Sequence, residues 1–139
     1  MSEAGWLCKK GAALLIPSGP DDKKHLMALL LDPVRLDGYG TKPQVLMVSV
    51  VTIKPGLIVD DSCILDVGDH PFISHPSFVD YRFARVDAAD HVQGLANENV
   101  FIPQEPCSEE LIKRVISGAL KSRRIPREFK QLLEKVIFG

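Results

Sequence analysis

A chain of 139 residues, 45% of them hydrophobic and 25% charged, is long enough to bury a core and reads as one domain over 1–139. Its net charge of −1 excludes a global attraction to nucleic acid or to an acidic membrane. Three scattered cysteines (Cys8, Cys63, Cys107) with no CxxC pair argue against a disulfide framework or a cysteine zinc site, and favour reduced thiols in a cytoplasmic protein.

The first strand is expected in GAALLIP, ending at Pro17, followed by the turn cluster SGPDD. GAALLIP is too short for a signal-peptide core with a cleavage site, and no run approaches the ~18 apolar residues of a membrane span. HLMALLL, residues 25–31, is an apolar run of strand length closed by Asp32-Pro33. QVLMVSVVTI, residues 44–53, is rich in β-branched residues and stops at Pro55-Gly56. SCIL is a short fourth strand. VDYRFARV alternates, which predicts Val79, Tyr81 and Phe83 on one face and Asp80, Arg82 and Ala84 on the other. NVFIP adds a sixth strand. Five or six short strands without βαβ alternation predict a small antiparallel barrel over 1–105.

After residue 105 the period changes. Ser108 is a candidate N-cap, Glu109 and Glu110 occupy the first turn, and Leu111, Ile112, Val115, Ile116 and Ala119 recur on one helical face. Pro126 suits the first turn of a second helix with the stripe Phe129, Leu132, Leu133, Val136 and Ile137. The expected fold class is mainly β: an antiparallel barrel of five to six strands followed by a tail of two helices over 106–139. From Glu109 onward eight Lys and Arg stand against four acids, whereas the rest of the chain has nine against fourteen. An acidic body carries a basic tail.

GDHPFISHPSF, residues 68–78, concentrates two of the four histidines beside prolines. Two imidazoles five residues apart, on backbone restricted by the following prolines, have the chemistry for a general acid and a general base. The competing reading is a rigid loop whose histidines bond locally. Asp66, Asp69, His70 and His75 include metal-ligand types, but their spacing matches no metal motif. Asp60 and Asp61 read as a solvated turn. Lys23, Lys24 and His25 before the second strand, and Thr52 and Lys54 at the end of the third, read either as surface polarity or as groups that meet a phosphate. Arg123, Arg124 and Arg127 cluster between the helices, where they serve phosphate contacts or the helix dipole.

Taken together, LLIPSG, HLMALLLD, VLMVSVVTIKPG and DDSCILDVGDHPFISHPSFVDYRFARVD resemble the PemK/MazF-like growth-inhibitor toxins, in a divergent branch. The likeness spans about residues 11–92 and is most specific over 68–81. It implies an SH3-like barrel, a metal-independent endoribonuclease with no cofactor, an antitoxin protein as partner, RNA as substrate and often a homodimer. Lys24 or His25 stands in the place of the family's phosphate-handling arginine, and Arg82 or Arg85 would supply the guanidinium. Thr52 and Ser77 match hydroxyl positions at strand ends. The implied catalytic set is His70, His75, Ser77, Thr52, Lys24 and Arg82. RNA or partner contacts would come from His25, Lys54, Tyr81, Arg123, Arg124 and Arg127. In that chemistry a histidine deprotonates the RNA 2′-OH, the oxygen attacks the adjacent phosphorus, and a second group protonates the leaving 5′-oxygen. The rival expectation is a barrel that binds a protein or nucleic-acid partner and catalyses nothing.

Overall fold

The computed structural model describes residues 5–17 and 23–139. The turn expected over 18–22 lies outside the described residues. Six strands form where the apolar runs stand between breakers: β1 (Ala13–Pro17), β2 (Lys24–Leu29), β3 (Gln44–Thr52), β4 (Ile64–Leu65), β5 (Ser77–Ala88) and β6 (Ile102–Gln104). They make one antiparallel sheet in the order β4-β5-β3-β2-β1-β6. Among the described residues no ladder joins β4 to β6, so the sheet has two edges. The turn that ends β3 is allowed by Gly56 at φ +81°, a conformation that L side chains rarely adopt.

Buried apolar clusters lie on both faces of the sheet, which is why β1, β2 and β3 read as near-continuous apolar runs rather than as alternating ones. One face carries Ala13, Leu15, Leu26, Ala28, Leu46, Val48, Val79 and Tyr81. Against it pack Leu111, Ile112, Val115 and Ala119 of α2 (Glu109–Lys121) and Leu133 of α3 (Arg127–Phe138). The other face carries Leu14, Ile16, Met27, Leu29, Val45 and Met47. It packs on Phe101 and on Val92 of α1 (Ala89–Asn97). Two helices were expected, and the described residues form three. The additional helix, α1, is nine residues long, contains Gly94, and has Ala88 at its N-cap with no side-chain cap bond, so its local signals are weak.

The helices expected after residue 105 both form. Ser108 caps α2 as its sequence position predicts: its Oγ accepts from the Leu111 N–H at 3.1 Å. Pro126 stands at the N-cap of α3 rather than in its first turn. Both helices pack into the core beneath the sheet. Only Leu133 of the α3 stripe is fully buried, and Val136 and Ile137 remain exposed. Among the described residues no helix is long and apolar enough to cross a membrane.

Asp60, expected in a solvated turn, is buried and organises the α2–α3 junction. Its Oδ1 accepts from the Ser62 N–H at 3.0 Å, and its Oδ2 accepts from the Ser122 hydroxyl at 2.6 Å. Ser122 Oγ in turn accepts from the N–H groups of Arg124 and Ile125. Burial pushes the Asp60 carboxyl up, but the hydrogen bonds from Ser122 and Ser62 outweigh it and hold it below its ordinary value. A carboxyl lowered in this way stabilises the fold when ionised, and its contribution disappears as pH falls below about 4. Asp60→Asn would aim an amide N–H at a serine oxygen whose lone pairs are already engaged. It is expected to cost about 2 kcal/mol at pH 7 in a urea titration, and the gap to the native chain should close on acidification.

Candidate binding groove

The second face of the sheet packs on α1 and Phe101, with Trp6 and Cys8 also against it. Beyond them lies a groove of about 540 Å³. Ile16, Met27, Val51 and Leu57 supply much of its apolar surface, and His25, Ser49, Asp80, Arg82, Phe83 and Arg85 complete the lining.

Strand register brings these residues together. Ile16 pairs with His25 on β1 and β2, Met27 with Ser49 on β2 and β3, and Ser49 with Asp80 on β3 and β5. Directly opposed residues of an antiparallel pair project from the same face. A bulge on β5 provides the rest. The register runs from Ser49↔Asp80 to Met47↔Arg85, so Val48 alone stands opposite residues 81–84. The extra residues break the period of two. Tyr81 and Ala84 point into the helix-covered core, while Phe83 joins Asp80, Arg82 and Arg85 in the groove. Simple alternation had put Phe83 with Tyr81, and the bulge reverses that assignment.

The groove's polar groups are organised around Asp80, which is 2% exposed. Arg82 Nε donates to Asp80 Oδ1 at 3.0 Å and Nη2 donates to Oδ2 at 2.8 Å, a bidentate fork. That fork raises the Arg82 guanidinium above its ordinary value. Arg82 Cζ also lies 5.1 Å from the centre of the Phe83 ring. Phe83 is 59% exposed, a large apolar ring held open to solvent. Arg85 donates to Asp87 Oδ2 at 2.8 Å.

The residues expected to form one site fall in several places. His70 is 2% exposed, and both ring nitrogens are engaged. Nδ1 accepts from the Phe72 N–H at 3.0 Å, so Nε2 carries the proton and donates to the Glu105 carbonyl at 2.6 Å. This ring ties its loop to the segment after β6 and is not available as an acid or base. His75 is exposed, whereas the His70 ring is closed off from solvent. Tyr81 is fully buried, and its hydroxyl donates to the Val115 carbonyl at 2.6 Å. Burial, above all, pushes its phenol up, and it is a core anchor rather than an RNA contact.

Ser77 pairs with Thr52 across β5 and β3, and Lys24 pairs with Pro17 at the start of β2. Thr52 and Ser77 stand where β3 ends and β5 begins. Ser77 Oγ is buried there and donates to the His75 carbonyl at 2.8 Å, while Lys24 and Lys54 are exposed. His25 and Arg82 belong to the groove. Arg123 and Arg127 are exposed at the α2–α3 junction, and Arg124 lies half-buried near Asp60. Among the carboxylates named with the histidines, Asp69 accepts from the Asp66 N–H at 2.7 Å and pairs with Arg114 at 3.1 Å. Among the described residues no group of three or more His, Cys, Asp and Glu could hold a metal ion.

The sequence reading missed Ile16, Met27, Ser49, Val51, Leu57, Asp80 and Phe83 as site residues. The available signal was an aromatic flanked by arginines in YRFAR, within a strand whose alternation fails at Ala84. No family model, no curated protein and no solved structure matches this chain.

Proposed function

We propose that this chain is a binding domain and that the groove on the second sheet face receives its ligand. The observation that carries this reading is Phe83, 59% exposed beside the fork of Arg82 on the buried Asp80, in the lining of a 540 Å³ apolar groove. Concave, mostly apolar sites of several hundred Å³ with a few convergent polar groups are the usual form of small-molecule sites. The neutral dye N-phenyl-1-naphthylamine tests the reading. It should bind the native chain saturably at one site per chain, and Phe83→Asp should weaken binding at least tenfold. Phe138→Ser, altering the exposed ring at the end of α3, should leave it unchanged. Absence of saturable binding, or equal loss in both variants, would overturn the assignment of the groove.

A second reading keeps the chain as a PemK/MazF-like toxin with an SH3-like barrel, an endoribonuclease blocked by an antitoxin protein. What favours it is the Thr52–Ser77 pair at the sheet end, with exposed His75 two residues along the chain and exposed Lys24 at the start of β2. There His75 would act as acid or base, and Lys24 would meet the phosphate. Incubation with a mixed-sequence RNA separates the two readings. The binding reading expects intact RNA, whereas cleavage that disappears in His75→Ala would replace it.

A further inference from the structure

Resting on the binding reading, we propose that the groove selects a small amphiphile with an apolar body and a single anionic head, the class represented by a medium-chain carboxylate. Two observations carry this, the apolar lining and the surplus of cationic donors at the rim.

Ile16, Met27, Val51 and Leu57 offer no charged group to a ligand, so the body that lies on them is apolar. The rim is polar and uneven in charge. Among the described residues, Arg82 and Arg85 line it against one carboxylate, Asp80, and the acid that pairs with Arg85, Asp87, is not part of the lining. The Asp80 carboxylate is 2% exposed and already holds the Arg82 fork, which leaves a cationic ligand little access to it. The guanidinium groups keep donors in hand. Of five N–H groups each, Arg82 engages two on Asp80 and Arg85 engages one on Asp87. Among the described residues three and four of these groups have no further partner, on side chains that are 43% and 42% exposed. A guanidinium whose orientation is fixed by one carboxylate is pre-organised to receive a second anion with little further ordering. Asp80 orients Arg82 for that role, and the Phe83 ring beneath the guanidinium holds it at the mouth.

The experiment displaces N-phenyl-1-naphthylamine from the native chain with three ligands of equal chain length: decanoate, decanol and decyltrimethylammonium. Decanoate is expected to displace the dye at a concentration at least tenfold lower than either of the others. In Arg85→Gln the advantage of decanoate over decanol, each read against the dye affinity measured for that variant, should shrink several-fold. If the dye binds and decanol competes as well as decanoate, the anionic preference is wrong and the groove stands as a neutral apolar site. If decyltrimethylammonium competes best, the polarity of the rim has been assigned backwards. If neither the dye nor decanoate binds, the latter measured directly by calorimetry, the groove itself is not a ligand site and both readings fall together.

Discussion

Gly118→Ala is expected to destabilise the chain by about 3 kcal/mol or more in a urea titration, because α2 cannot remain docked with a methyl group at that position. A Cβ there would stand 2.9 Å from Cys63 Cβ, 2.9 Å from the Ser62 carbonyl oxygen, and closer still to the Tyr81 hydroxyl. Two of these neighbours cannot swing away, since one is backbone and the other a Cβ. Tyr81 is held by its bond to the Val115 carbonyl one turn earlier on α2. A mid-helix glycine normally costs about 1 kcal/mol relative to alanine, so this position retains it for close approach. Gly94 in α1 is the matched control. A methyl group added there would meet nothing within 4 Å, so Gly94→Ala should stabilise the chain by about 0.5–1 kcal/mol. Equal effects at the two glycines would mean that α2 is not seated over Tyr81.

His70→Ala is expected to cost about 3 kcal/mol, against less than ~0.5 kcal/mol for His75→Ala. Removing the buried ring leaves the Phe72 N–H and the Glu105 carbonyl without their partner, and it opens a cavity under the loop. His75 is exposed, so truncating its ring opens no cavity and leaves its surroundings in water. Chemical denaturation of both variants checks the contrast. A fold unaffected by His70→Ala would return that histidine to the candidates for chemistry.

What the chain discloses about itself depends on whether the relevant contact is local. The positions of β1, β2 and β3 follow from apolar runs bounded by Pro17, Asp32-Pro33 and Pro55-Gly56, and α2 follows from Ser108, two acidic residues and a regular stripe. Those signals lie within the segments themselves. The partner of His70 is the Glu105 carbonyl, 35 residues away, so a pair of Pro-flanked histidines looks the same whether it is a site or a strut. Tyr81 and Phe83 look alike in a strand read with a period of two. Only the register against β3 reveals a bulge that turns one into the core and the other into the groove. The groove is therefore assembled from β1, β2, β3, the loop at Leu57 and the bulge, and no single stretch of sequence carries it. Arg82 and His25 were anticipated as functional for their charge, and they are lining residues of that groove.

The most direct measurement is the amide chemical-shift map of isotope-labelled protein titrated with decanoate. A ligand in the groove moves the resonances of His25, Met27, Ser49, Val51 and residues 82–85, and leaves those of Lys113, Ser117 and Lys121 on the outer face of α2 in place. Shifts confined to α2 and the arginines at 123, 124 and 127, with the groove residues unmoved, would contradict the account.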